Sequence, residues 1–197
     1  MDMINWMALQ GQTDEISHAV QSLSRFYKLT LSRKKGISTI ARELEHVTIY
    51  VQLQNMRYHD SIELITDIPD ELSEYQIPKL TLQPVVENSI LHNIEARDFL
   101  MIDISGRCEN GIIILQVQDN GTGMDADTMK EILKPKKQGK KGYVFSGLGV
   151  SNVQERIQLA YGPDYGLQYD SDGNSFTTVT IRFPQHKQID SLLSKRR

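Results

Sequence analysis

With one cysteine, Cys108, this chain of 197 residues has no means of forming an intrachain disulfide, and a reducing compartment is its default. No apolar run approaches the roughly 20 residues of a membrane span, and the first residues lack the pattern of a secretory signal. The chain as given therefore reads as soluble and cytoplasmic. Acidic and basic residues almost cancel, leaving a net charge of −3, which gives no general case for nucleic acid as a partner. Internal repeats and long low-complexity segments are absent as well. What is present is ordinary for a globular protein: 39% hydrophobic and 24% charged residues, in a length that suits one sizeable domain with an appendage.

Three segments carry the chemistry. In TLQPVVENSILHNI, residues 81–94, Leu82, Val85, Val86, Ile90 and Leu91 recur at roughly helical spacing, and Pro84 is acceptable in an opening turn. Asn88 and His92 share a face of that helix. A neutral amide can give its carbonyl oxygen to Mg²⁺, which takes few protein ligands and fills its shell with water and phosphate oxygens. Glu87 lies one residue round the helix. Taken alone, Asn88 and His92 read equally well as polar groups on a half-buried helix.

The second segment follows IIILQVQ, residues 112–118, a strand-forming run that ends on Asp119 and continues as NGTGM. A carboxylate at a strand end can accept a hydrogen bond from the exocyclic amine of adenine, where guanine carries a carbonyl. Gly121 and Gly123 let the backbone pass close to a base and supply positive φ at little steric cost. Asp-Asn-Gly is also strong turn chemistry. The third segment, GLGVSN at residues 147–152, opens an apolar helical pattern through Val150, Val153, Ile157 and Ala160 that Gly162-Pro163 closes. Glycines before a helix expose N–H groups to phosphate, and the helix dipole adds to the attraction. Each segment alone is weak evidence, and their order is stronger than any one of them.

In that order, LQPVVENSILHNI resembles the N box, DNGTGM the first glycine box and GLGVSNVQERI the second glycine box of the GHKL ATP-binding fold, shared by sensor histidine kinases, DNA gyrase, MutL and the large heat-shock chaperones. The wording is closest to the LytS-like and YesM-like bacterial sensor histidine kinases, whose N box reads QPxVENAxxHG. RELEHVTIYVQLQNMRY at residues 42–58 and SLSRFYKLTL at residues 22–31 resemble the helices before the ATP domain in that branch.

The resemblance implies an α+β sandwich of the GHKL (Bergerat) type, a mixed sheet covered on one face by helices and preceded by a helical appendage. It implies ATP and Mg²⁺ as cofactors. Asn88 would be the metal ligand, Asp119 would take the adenine amine, and Gly121 and Gly123 would shape the base pocket. Gly147, Leu148 and Gly149 would meet the phosphates, and His92 would sit near ribose or phosphate. Glu87 matches an N-box glutamate and is the candidate base. Asn152 and Arg156 match the pattern after the second glycine box, as packing residues or nucleotide contacts. Lys134, Lys136, Lys137, Lys140 and Lys141 fall in the lid over the nucleotide. Two positions depart from the family: Asn93 replaces a glycine, which alters the helix exit, and Phe176 replaces the glycine that opens a GTTV stretch, where a ring narrows the pocket or merely packs.

Around these motifs the chain divides into a helical segment at 1–59, an α/β domain at 60–185 and a polar tail at 186–197. In the helical segment, Ile16, Ala19, Val20, Leu23, Phe26 and Tyr27 form one apolar stripe, which must face a partner helix, a second copy of the chain or the chain's own ATP domain. Ser38 or Thr39 caps the next helix. Hairpins are expected about Asn110-Gly111 and Asp172-Gly173.

The branch's phosphoaccepting histidine lies in an NPHFLFNTL-like segment, and none of His18, His46, His59, His92 or His186 has that context. The expectation is a catalytic fragment that binds Mg·ATP, serves histidine phosphorylation and relay to a response regulator, and derives from a membrane-anchored parent. Two alternatives remain. A gyrase- or chaperone-like ATPase would need a water-activating acid one turn before Asn88, where Pro84 stands; a scaffold without ATP would only dimerise.

Overall fold

The computed structural model describes residues 2–11, 13–31, 36–134 and 148–185. Two helices lead the chain, α1 (Asp2–Leu9) and α2 (Thr13–Thr30), turned into one another at Gly11 with φ +71°. α2 packs along the longer α3 (Ile40–Tyr58): Ala19 is fully buried, and the Phe26 ring stacks on His46 with centroids 4.3 Å apart. The apolar stripe of α2 is thus divided. Its Ala19–Phe26 side docks on the chain itself, while Val20 and Tyr27 remain about half exposed, at 49% and 54%.

α3 begins where Thr39 Oγ1 accepts the Arg42 N–H, and it ends where His59 adopts a left-handed φ of 54°. Just beyond, the Asn55 side chain pairs with both backbone groups of Ile62, at 2.7 and 2.9 Å. That pair fastens the helix end to the first long strand, β2 (Ile62–Asp67). Periodicity changes at Asp60, as the sequence indicates, but the core runs across it, because Ile40, Val47 and Val51 of α3 belong to the same buried cluster as the sheet.

Two short strands, β1 (Ile37–Thr39) and β3 (Gln76–Pro78), pair antiparallel, with Ile37 opposite Pro78. Sequence reading gave no strand at either place, since three residues are too few to display a period of two. Between β2 and β3 lies the short helix α4 (Asp70–Ser73), and after β3 comes α5 (Gln83–Asn93).

The main sheet has five strands in the order β2-β4-β5-β7-β6, with β4 (Leu100–Glu109), β5 (Ile112–Asp119), β6 (Gly166–Ser171) and β7 (Thr177–Pro184). β2 and β4 are parallel and the remaining neighbours antiparallel, so the sheet is mixed. Asn110 and Gly111, at φ 51° and 76°, make the β4–β5 turn with the two left-handed residues that a tight hairpin favours.

Alternation fixes the covered face: Leu100, Ile102 and Ile104 are fully buried, whereas Met101 between them is exposed. Val85, Val86 and Ile90 of α5 and Val150, Val153 and Ile157 of α7 (Leu148–Tyr161), which comes after the short α6 (Ala126–Ile132), pack over that face. Each such side chain contributes about 1.5–3 kcal/mol relative to exposure. Helices on one face of a mixed sheet are the α+β sandwich the sequence implies.

Candidate functional site

Asp119 ends β5 on the covered face, in register with Ile113, Leu115 and Val117, which is why a carboxylate there is only 3% exposed. Burial pushes its pKa above the ordinary value of 3.8; hydrogen bonds from Ser89, Gly121 and Thr177 and the nearby charge of His92 oppose the rise. Its Oδ2 accepts the Ser89 hydroxyl at 2.6 Å, and its Oδ1 accepts the Gly121 N–H at 3.0 Å and the Asn93 amide at 3.3 Å. The residues that meet this carboxylate come from α5, from the turn after β5 and, through the Thr177 backbone, from β7.

Asn93 does more than shape a helix exit. Its Nδ2 also donates to the Ser89 carbonyl at 2.8 Å, and its Oδ1 accepts both the Thr122 N–H, at 2.9 Å, and the Thr122 hydroxyl, at 3.2 Å. A Cβ on Gly121 would lie 2.2 Å from that amide. Gly121 is therefore required by Asn93, which fills the space beside it. Gly123, at φ +72°, is pressed instead against the β6–β7 turn, where a Cβ would stand 2.3 Å from the Asn174 nitrogen.

Asn88, on the neighbouring row of α5, is 7% exposed, and its Oδ1 is buried without a hydrogen-bond partner. An orphaned neutral carbonyl oxygen is a donor that Mg²⁺ accepts, so this residue fits the metal the resemblance implies. Glu87 is half-buried, with Oε1 accepting the Gln83 amide at 2.8 Å, and His92 is exposed. A second orphan is the Tyr169 hydroxyl on β6, buried and unpartnered; burial, with the Asp119 charge adding, raises its phenol pKa.

The start of α5 is held from two sides. Glu43 of α3, 2% exposed, accepts the N–H groups of Leu80, Thr81 and Leu82 at 3.0, 2.7 and 3.3 Å. Burial raises the Glu43 pKa and those backbone donors oppose the rise. Arg156 of α7 spans the carbonyls of Lys79 and Leu80 at 2.7 and 2.8 Å, which gives it a packing role in this structure. Gly149 brings α7 against α5, for a Cβ there would lie 3.0 Å from Pro84 Cβ.

Of the remaining residues named from sequence, Gly147, Lys136, Lys137, Lys140 and Lys141 lie outside the described residues, and Leu148 is described in backbone only, as the first residue of α7. Lys134 is ion-paired with Glu131 on the surface. Phe176 is half-buried in the β6–β7 turn, where its N–H reaches Asp172 Oδ1 at 3.3 Å. Sequence reasoning missed Ser89, Thr122, Glu43 and Arg97, which ties the Gly121 and Asn174 carbonyls together at 2.8 and 3.2 Å. The spacing of four between Ser89 and Asn93 was a signal for that pair. Arg97 offers none, since both its partners are brought to it by the sheet.

Comparison with known proteins agrees with this geometry. A family model described as "Histidine kinase" matches residues 1–62, and one described as "Histidine kinase-, DNA gyrase B-, and HSP90-like ATPase" matches residues 76–187. Sensor histidine kinase YesM of Bacillus subtilis (strain 168) is 33% identical over 190 residues, covering 96% of this chain and 31% of that protein. Sensor histidine kinase BtsS of Escherichia coli (strain K12) is 32% identical over 177 residues, covering 89% of this chain and 29% of that protein. The chain thus spans about three tenths of the length of these relatives. Among solved structures, the histidine kinase domain of a blue-light activated histidine kinase from Erythrobacter litoralis EL346 superposes with a TM-score of 0.56 at 17% identity, over 98% of this chain and 87% of that one. The catalytic domain of histidine kinase ThkA gives 0.53 at 14%, over 78% of this chain and 97% of that one. At such identities the superpositions speak for the fold, and together with the family match they lead to one conclusion: the chain belongs to the family of histidine kinase-, DNA gyrase B- and HSP90-like ATPases.

Proposed function

We propose that this chain is the ATP-binding catalytic portion of a bacterial two-component sensor histidine kinase of the YesM- and LytS-like branch. It binds Mg·ATP and presents the γ-phosphoryl to a histidine, from which the phosphate passes to an aspartate of a response regulator. The observation that carries this reading is a buried carboxylate at a strand end, Asp119, hydrogen-bonded to Ser89 of the helix whose preceding residue, Asn88, holds an unpartnered buried amide oxygen.

In this reading Asp119 accepts the adenine amine, while Ser89, Asn93 and the Gly121 N–H hold the carboxylate in place. Asn88 holds Mg²⁺, which when bound neutralises phosphate charge. Gly123 lets the first glycine turn meet the β6–β7 turn without a side chain between them. Leu148 and Gly149 offer backbone donors to the phosphates at the start of α7, Gly147 joins them on its motif alone, and His92, exposed four residues beyond Asn88, reaches toward ribose or phosphate. Glu87, oriented by Gln83, is the candidate base. Catalysis here is positioning and charge neutralisation, because phosphoryl transfer leaves little covalent work for the protein.

Exposed Val20, Tyr27 and Leu31 lie on one side of α2 and its end, seven and four residues apart, and support self-association of the helical segment into a homodimer. Among the described residues no helix is long and apolar enough to cross a membrane. A membrane-anchored parent would hold this portion on the cytoplasmic side, where ATP is.

Calorimetric titration of the chain with a non-hydrolysable ATP analogue, with and without Mg²⁺, tests the reading. Saturable, Mg²⁺-dependent binding that Asp119→Asn abolishes is the expected result. Absence of binding at millimolar nucleotide sinks the proposal.

A further inference from the structure

Four consecutive residues before α5, Lys79 to Leu82, have their backbone groups claimed by two charged side chains from different helices. Glu43, from α3, takes three N–H groups at 2.7–3.3 Å, and Arg156, from α7, takes two carbonyls at 2.7 and 2.8 Å. Thr81 closes the turn by donating to the Pro78 carbonyl at 2.5 Å. Leu80 stands at φ +57°, a left-handed conformation that a residue with a side chain seldom adopts. A leucine stays there only when its surroundings hold it. In addition, the Lys79 amine donates to the Thr30 carbonyl at the end of α2. This short loop is therefore the point at which α2, α3 and α7 all meet the start of α5.

We propose that Glu43 is a positioning residue for the Mg·ATP site: with Arg156 it fixes the loop from which α5 departs, and so sets where Asn88 stands. The inference rests on the nucleotide site proposed above. α5 is a rigid rod from Gln83 to Asn93, and Asn88 lies six residues beyond Leu82, roughly 9 Å along the axis. The helix has no side-chain cap at Leu82; Glu43 instead accepts the N–H groups of Leu82 and of the two residues before it, and so holds the chain where it enters the helix. Arg156 works from the helix that the second glycine box opens, so the loop also joins the phosphate side of the pocket to its metal side. Glu43 itself touches neither nucleotide nor metal.

The test is a double-mutant cycle on the full chain, read as affinity for a non-hydrolysable ATP analogue in Mg²⁺ and in EDTA, with thermal melts to confirm folding at the titration temperature. Glu43→Gln keeps the shape but removes the charge. It is expected to weaken binding in Mg²⁺ by about tenfold, to leave binding in EDTA unchanged, and to add little to the loss caused by Asn88→Ala. Wild-type affinity in folded Glu43→Gln, or a loss that adds in full to that of Asn88→Ala, overturns the proposal. If Glu43→Gln does not fold, Arg156→Lys carries the same cycle, since a single ammonium cannot span both carbonyls as the guanidinium does. Wild-type affinity in that variant is equally fatal. A wild-type chain that binds no analogue removes the nucleotide site itself, and the positioning role with it.

Discussion

The Asn93 side chain stands between Asp119 and Thr122, donating to the carboxylate at 3.3 Å and accepting the Thr122 N–H at 2.9 Å. One amide thus ties the end of β5 to the turn that follows it. Asn93→Gly, which restores the family's usual residue, removes those contacts and leaves the Thr122 N–H without its partner and the Asp119 carboxylate short of one donor. A loss of about 2–3 kcal/mol is expected in urea unfolding. Faster amide exchange at Thr122 would place the loosening in this turn.

The raised pKa of Asp119 has a defined sign in stability. A carboxyl whose folded value lies above its unfolded 3.8 binds its proton more tightly when folded. Its contribution is full below 3.8 and is lost as pH rises through the raised value. Unfolding midpoints of Asp119→Asn should therefore decline less across that window than those of the wild type. Affinity for an ATP analogue should move the other way in the wild type, climbing as Asp119 ionises, because only the carboxylate accepts the adenine amine fully. Parallel stability profiles in the two proteins would contradict the shift.

Two glycines with nearly the same φ allow strain to be separated from contact. Gly123 and Gly173 stand at +72° and +73°, but a Cβ meets the Asn174 nitrogen at 2.3 Å in the first and nothing nearer than 3.9 Å in the second. Gly173→Ala should cost the left-handed strain alone, about 1–2 kcal/mol. Gly123→Ala should cost about 3 kcal/mol or more, because the atom in the way is backbone. Chemical denaturation of the pair decides it, and equal losses would mean that the two turns do not approach as described.

On α2, Val20→Glu with Tyr27→Glu tests self-association. Both side chains are about half exposed, so the helix should keep its place on α3 and the circular dichroism spectrum should not change. Sedimentation velocity is expected to show a dimer for the wild type and a monomer for the double variant.

The fold was legible where periods were long enough to read. The strand about Ile102, the Asn110-Gly111 turn and the change from helix to strand about Asp60 all follow from alternation and turn chemistry. β1 and β3 were not, because each exists only through the other across a gap that no local pattern spans. At the site, Asp119 and Asn88 were legible as motif positions, and so were the glycines. What the glycines approach was not: Gly121 faces Asn93 and Gly123 faces Asn174, and both are relations between elements. Asn93 read as a variation at a helix end because its partners, Asp119 and Thr122, lie far along the chain. Glu43 gave no sign of its role for the same reason.

The parallel pairing of β2 with β4 has a kinetic consequence. The crossover that joins these strands contains α5, so the ladder from Ile62↔Leu100 to Asp67↔Ser105 closes a loop that already carries Asn88 and Ser89. Pairings between distant stretches form slowly, since chain entropy must be given up before contacts repay it. The proposed nucleotide site therefore rests on a non-local pairing, and its assembly is slow beside that of the local β4–β5 hairpin.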